Sequence, residues 1–597
     1  MKSNLLYYFL FFLLLPLVSC KKGFLDKIPD DDMTIEDVFK ERQYAERFLT
    51  GTYNYLPHEI DFAEPTGRNP FVGASDDLEL SWANRFPHIM NSGAWGPLNV
   101  FDGHWRDGYQ AIRRLHLFTE NIGKTPMNEN DKEVWVGEAE FLKAFFYFWM
   151  IRVYGPVPII DNSFQPSDDF AKLKRMTLED CIAYVAKKCD EAAALLPSKV
   201  SSDKYGRATK AAALALKSRA LLYMASPLWN GNPDFQNFTD KDGVKLFPAY
   251  DAARWQRAAD AAKACIDLAE NAGYKLYRSS NNDPLKNYQE VFTVKNNSEI
   301  LFARTEPELA YHQEMCAAPN SQGGWSGYCP LQTLVDSYEM ADGSKPITGY
   351  NSNGIPIINP ASGYQETGYV EQADPKGYYP KGIRNMYAGR EPRFYASINY
   401  NGAIWRGKSL EFWYSGTDGK SKGGAELYTV TGYLLKKFMD EDGVNIVQGK
   451  FTLKTWNYFR LGEQYLNYAE ALNEAQGPVT DVYKYINAIR ERSGMPNLPT
   501  GLSSDQMRDR IHHERQIELS FETHRYFDTR RWKIAEQTNN VKLYGMNINV
   551  GTSLQDDSFY QRTYIKTRIF DKNKHYLFPL TQNELNKTPG LVQNPGW

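Results

Sequence analysis

HHERQIELSFETHRYFDTRRW, residues 512–532, gathers three of the chain's nine histidines and opens on a His-Glu pair. A helical zinc-protease site needs His-Glu-x-x-His, because imidazoles four residues apart share one helix face. Here the fourth place holds Ile517, so the second ligand is missing. His512 and His513 are neighbours and point roughly 100° apart on a helix, which keeps them from one ion. Arg510, Glu514, Glu518 and Glu522 instead recur at i, i+4 along one stripe. Carboxylates in line repel unless cations intervene, and Arg515, Arg525, Arg530 and Arg531 are adjacent in sequence. The stretch reads as an ion-pair knot that fastens a helix to the aromatic segment HRYFDTRRW, with a structural and not a catalytic role.

Outward from this knot the chain is dominated by helical periodicity. Amphipathic or small-residue patterns run through residues 104–123, 137–155, 177–196, 208–226, 254–273, 459–477 and 481–494. Ala258, Ala259, Ala262 and Ala469 stand where helices must approach closely. A single helix hairpin cannot bury its own apolar face, so stacked pairs in the tetratricopeptide manner are expected, with irregular and interrupted repeats. Thr34, with Asp37 three residues on, caps the helix expected over TIEDVFKERQYAERFLTGTYNYL. Trp149, Trp255 and Trp532 fall on helical faces and are assigned to the core.

Two regions lack helical periodicity. Residues 57–103 are rich in Gly, Pro, Asn and Trp, and residues 274–455 in Gly, Asn, Pro and Tyr, with RFYASINY and GYLLKKF as candidate strands. The division that follows is a leader (1–19), a tether (20–33) and one domain (34–597). Within that domain the helical scaffold covers about 34–273 and 456–597, and the loop-rich excursions about 57–103 and 274–455. The fold class is mostly α.

The N-terminus gives an address. LLYYFLFFLLLPLV is too short for a comfortable spanning helix, which needs ~20 residues, and it ends in Leu17-Val18-Ser19-Cys20, similar to a bacterial lipobox. The expected mature protein begins at Cys20, acylated and anchored by its lipid. Five further cysteines follow. Cys181 and Cys189 sit about 12 Å apart along one helix, too far to bridge, whereas pairing of Cys316 with Cys329 is left open. The formal charge of −3 offers no basic field for nucleic acid.

Six segments carry a resemblance: 138–160 (EAEFLKAFFYFWMIRVYGPVPII), 207–231, 389–402, 459–474 (FRLGEQYLNYAEALNE), 513–532 and 576–597. In this order, behind a lipobox, the chain resembles the SusD/RagB family of outer-membrane nutrient-binding lipoproteins. The departures are Glu391 where Asp is usual, Thr523 where Gly is usual, and Leu580-Thr581 where Ile-Pro is common. The resemblance implies a tetratricopeptide-like scaffold with loop-rich insertions. It also implies a SusC-type TonB-dependent transporter as partner, an oligosaccharide or polysaccharide as cargo, and no catalysis. A RagB-type peptide cargo, a glycoside hydrolase and a purely structural surface protein stay open as alternatives.

The aromatic fraction of 14% suits sugar recognition, since indole and phenol faces cover the C–H patches of pyranoses at low entropic cost. By region and chemistry, loop 74–99 offers Trp82 and Trp95 beside Asp76, Asp77, Asn84, Arg85 and Asn99. The segment PNSQGGWSGY (319–328) offers Trp325 and Tyr328 among glycines. No phosphate loop or G-x-S-x-G elbow is present. Asp240 and Asp242 before Gly243 look calcium-like, but the twelfth loop position is Ala249, and neither a metal nor a cofactor is expected.

Overall fold

The computed structural model describes residues 33–63, 69–101, 103–164, 168–306 and 309–597. Cys20, the leader and most of the tether lie outside the described residues. The fold is mostly helical, with short two-stranded antiparallel sheets. Among the described residues eight long helices carry it: α1 Gly103–Asn121, α2 Glu129–Tyr154, α3 Leu178–Leu195, α4 Lys210–Ala225, α5 Ala253–Asn271, α6 Leu461–Gln476, α7 Thr480–Arg492 and α8 Ser504–Glu518.

Each helix from α1 to α5 packs on the next, and α6, which follows only after the long excursion, packs on α5 and then on α7 and α8. Ala211, Ala212, Ala215, Ala258, Ala259, Ala262 and Ala469 are all buried at these crossings, where their small side chains allow close backbones. Trp149, Trp255 and Trp532 are buried as expected. Two strands close the neck of the excursion. Ile300–Glu306 on the way out pairs antiparallel with Lys454–Arg460 on the way back, with Trp456 opposite Arg304 and Arg460 opposite Ile300.

Thr34 forms the expected capping box with Asp37, but the helix it starts ends at Lys40. Glu41 is extended (φ −128°), so Arg42–Tyr53 is a separate helix. Of the candidate strands, Ile398–Tyr400 pairs with Tyr433–Leu435, while Pro392–Ser397 just before it is helical. Cys316 and Cys329 are both buried free thiols, so the pairing left open does not occur, and Cys181 and Cys189 are likewise free. The calcium-like loop is a tight turn: Asp240 Oδ1 accepts the backbone N–H groups of Asp242 and Val244, and Asp242 pairs with Lys174.

The 512–532 stretch is the centre of the molecule. α8 is capped by Ser503 with Gln506 in a reciprocal box, and it carries Glu514 and Glu518 inward, each about 1% exposed or less. The cations that neutralise them differ from those expected. Glu518 meets Arg460 at 2.8 Å, Arg393 at 3.1 Å and Arg492. Glu514 meets Arg490 at 2.9 Å and Arg393. Glu522 meets Arg460 and Lys437, each at 2.8 Å. Glu299 joins Arg460 at 2.8 Å and Arg492 at 3.1 Å. The arginines next to them in sequence turn elsewhere. Arg515 and Arg531 pair with Glu470 and Asp528, Arg525 with Asp76 at 2.7 Å, and Arg530 lies over the Tyr526 ring. A helix stripe presents its side chains to whatever packs on it, so partners distant in sequence outcompete neighbours that point away.

The fastening to the aromatic segment is as expected. His512 stacks on Trp532 with ring centroids 3.6 Å apart, and Arg515 and Arg531 share Asp528. Burial drives the His512 pKa down to about 3, and His513 and His524 also fall well below the ordinary value, so all three imidazoles are neutral. The turn between α8 and the helix His524–Arg531 puts Phe521 (φ 62°) and Thr523 (φ 70°) in the left-handed region, a strained conformation for a β-branched residue. Its lining explains the tolerance: Phe521 N–H donates to Asp77 Oδ2, Lys437 donates to Ser520 O, and Asn69 donates to Thr523 Oγ1.

Two outcomes follow from these charges. Burial alone would raise the Glu518 carboxyl, but Arg492, Arg460 and Arg393 overcome it and hold it far below the usual carboxylate range. Its stabilisation is therefore complete above the unfolded carboxyl pKa and declines as pH falls below it. Glu518→Gln leaves three buried guanidinium groups facing an amide and costs about 3–5 kcal/mol at neutral pH by urea denaturation, a deficit that shrinks on acidification. Asp77 behaves oppositely. Burial, followed by the charge of Asp76, pushes its carboxyl up to about 7. It favours folding below the unfolded carboxyl pKa, and that contribution is lost as pH rises through about 7. Asp77→Asn, neutral at every pH, gains stability relative to the wild type between about pH 4 and pH 8 in the same assay.

Candidate functional site

Loops 74–99 and 319–328 are brought together by a short ladder. β1 (Leu78–Leu80) pairs antiparallel with β2 (Tyr328–Pro330), Leu80 opposite Tyr328, and Ser81 N–H continues it by donating to Gly327 O at 3.1 Å. The residues just beyond the ladder, Trp82 and Trp325, therefore meet edge to face with centroids 6.2 Å apart and planes at 87°. Gly327 is required at this contact: a Cβ there would lie 1.8 Å from the Trp82 ring. The backbone carrying Trp325 is stitched to the helix Leu309–Ala317, because Trp325 N–H donates to Met315 O, Ser326 N–H to Ala318 O and Gly327 N–H to Cys316 O.

Trp325 is half-buried and Trp82 is buried beneath it. The Arg85 guanidinium lies 5.6 Å from the Trp82 ring centroid, and Asn84 is exposed alongside in sequence. His312 sets its edge against Trp325 at 5.6 Å and is held by Asp61, Nδ1 to Oδ2 2.9 Å. Around Trp325 gather Met315, Ala318, Ile446, Val444 and Phe451, with Tyr311 packed on Phe451 at 4.9 Å. Tyr311 and Val447 remain exposed. None of His312, Tyr311, Phe451 or Val447 was singled out from the sequence. They are scattered through a non-periodic region, and only the folding of residues 442–453 against 311–325 unites them.

The other candidates go elsewhere. Trp95 is buried in a separate cluster that seals the C-terminus, against Phe578 (4.7 Å), Trp597 (4.8 Å) and His575 (5.4 Å). Tyr328 is wholly buried, and its hydroxyl accepts from Phe62 N–H and donates to Asp61. Asp76 is bound bidentately by Arg525, and Asp77 lies beneath the turn at Phe521. Asn99 closes its own turn, accepting from Gly96 N–H and donating to Ala94 O. These five have structural partners, and the pair of loops presents Trp325, Arg85 and Asn84.

The chemistry of the arrangement is that of a binding surface. Cys316, His312 and Asp61 resemble a nucleophilic triad in order, but the Cys316 sulfur is 3.9 Å from Nδ1 and 3.8 Å from Nε2 of His312, over the ring edge and in line with neither lone pair. Burial, with the Asp61 charge, pushes this thiol well above its ordinary pKa, which rules out a resting thiolate. Glu314 is buried and neutralised by Arg406 and Lys454, each at 2.8 Å. Among the described residues no group of three His, Cys, Asp or Glu side chains could hold a metal ion, and no helix is long and apolar enough to cross a membrane.

Comparison with known proteins agrees with this architecture. The SusD-like protein P2 of Formosa agariphila is 22% identical over 609 residues, covering 98% of both chains. Among solved structures, a SusD-like protein from Bacteroides fragilis superposes with a TM-score of 0.75 at 26% identity, over 96% of this chain and 99% of that one. A SusD-like carbohydrate-binding protein from the same species superposes with a TM-score of 0.72 at 23% identity, over 93% and 100%. The profile of starch-binding proteins associating with the outer membrane matches residues 23–222. The SusD family profile matches residues 273–597, more than half of the chain. The chain therefore belongs to the SusD family, a family of non-catalytic binding proteins.

Proposed function

We propose that this protein is a cell-surface lipoprotein, anchored through an acylated Cys20, that captures an oligosaccharide or polysaccharide and passes it to a SusC-type TonB-dependent transporter. The observation that carries the reading is the half-buried Trp325, propped edge-on by Trp82 and His312, with Arg85 over Trp82 and Asn84 exposed next to it in sequence. A pyranose face suits such a ring, and its hydroxyls suit Asn84 and Arg85. The carbohydrate binding named for the Bacteroides fragilis relative, and the starch-binding profile over residues 23–222, support the same cargo.

A RagB-type peptide cargo is less well served. Peptide capture by strand addition needs free backbone groups, whereas the N–H groups of Ser81, Trp325, Ser326 and Gly327 are all spent within the protein.

On the analogy of base stacking, one aromatic face is worth ~1–3 kcal/mol. Trp325→Ala therefore weakens binding to the cognate glycan by about tenfold in calorimetry against a polysaccharide panel. An unchanged affinity would remove Trp325 from the site, and a blank glycan panel with peptide binding would turn the reading to the RagB type. For the anchor, metabolic labelling with a fatty-acid analogue marks the wild type, and Cys20→Ala abolishes the label.

A further inference from the structure

The acidic groups around Trp325 are all matched: Asp61 by His312, and Glu314 by Arg406 and Lys454. Arg85 is not. Its side chain has neither an ion-pair nor a hydrogen-bond partner among the described residues, and its Nε is buried without one. Ser81 Oγ, one residue before Trp82, is also buried and unpartnered. Other inward-facing guanidinium groups have partners: Arg393, Arg460, Arg492 and Arg531 each meet at least two carboxylates, and Arg175, Arg390 and Arg530, which meet none, bond to neutral oxygens. A partly desolvated cation without a counter-ion is costly, and here it is held over Trp82, the indole that props Trp325 edge-on. Arg85 to Trp82 is 5.6 Å and Trp82 to Trp325 is 6.2 Å, a spacing that adjacent pyranose rings can cover.

We infer that Arg85 is an anion-recognition residue, and that the ligand is an acidic oligosaccharide whose carboxylate or sulfate group docks on this guanidinium while a neighbouring ring lies on Trp325. The planar fork of arginine suits both anions bidentately. The inference rests on the glycan reading above and narrows it.

The test uses the full-length protein in detergent and a panel of carboxylated and sulfated polysaccharides, each paired with its carboxyl-reduced or desulfated counterpart. Isothermal calorimetry at low and high salt is expected to show an acidic glycan binding at least about tenfold more tightly than its neutralised partner, a preference that salt diminishes. Arg85→Met keeps the stem over Trp82, and is expected to erase that preference by weakening acidic-glycan binding at least about tenfold more than neutral-glycan binding, without lowering the melting temperature. The carboxylated and sulfated arms identify the anion. Equal binding of acidic and neutralised glycans, or an unaltered preference in Arg85→Met, overturns the role of Arg85 and leaves glycan capture standing. Failure to bind any glycan of either kind, while Trp325→Ala also changes nothing, overturns the glycan reading itself and this inference with it.

Discussion

The structure depends on one buried cage of charge. Glu299, Glu514, Glu518 and Glu522 face Arg393, Arg460, Arg490, Arg492 and Lys437, all but wholly removed from solvent. The participants come from six separate parts of the chain, so the cage forms only when α7, α8, the strand Lys454–Arg460, the helix Pro392–Ser397 and the segments carrying Glu299 and Lys437 have all docked. Taking such charges from water is expensive, and their mutual attraction repays it only when geometry and hydrogen bonding are complete. The cage therefore contributes less to net stability than to uniqueness: any mispacked arrangement strands a guanidinium or a carboxylate in the core.

That constraint explains how a helical stack can carry a long excursion with only short helices without losing order. Residues 300–306 and 454–460 pair at its neck, and both borders of the neck enter the cage, through Glu299 and Arg460. The excursion is thus clamped at its base by charge and filled above by aromatic packing. The ladder between residues 78–80 and 328–330 ties the early loop to the late one, and the platform at Trp325 stands on that joint.

Much of this was legible in the sequence. The helices, their small-residue contacts, the Thr34 cap, the structural character of residues 512–532 and the core placement of Trp149, Trp255 and Trp532 all follow from periodicity and local chemistry. The family was legible because its hallmark segments are those that build the scaffold. The binding loops were harder. Trp82 and Trp325 were chosen on composition, and they do meet. Trp95 and Tyr328 were chosen by the same argument, yet they fill separate parts of the core, since an aromatic ring in an irregular loop carries no mark of which side it faces. Asp76, Asp77 and Asn99 were drawn into structural bonds for a related reason: a polar side chain near a buried turn is captured by whichever donor folds against it.

The sequence by itself determined the elements and their class, because helix periodicity, caps and small-residue positions act within a few residues along the chain. It also determined that 512–532 could not be a zinc site, since a ligand four residues on is a matter of spacing. Only the tertiary structure decided which arginine answers which glutamate, and which tryptophan keeps an open face. Partner choice and exposure depend on segments from 24 to more than a hundred residues apart meeting in space, and no local rule encodes that meeting.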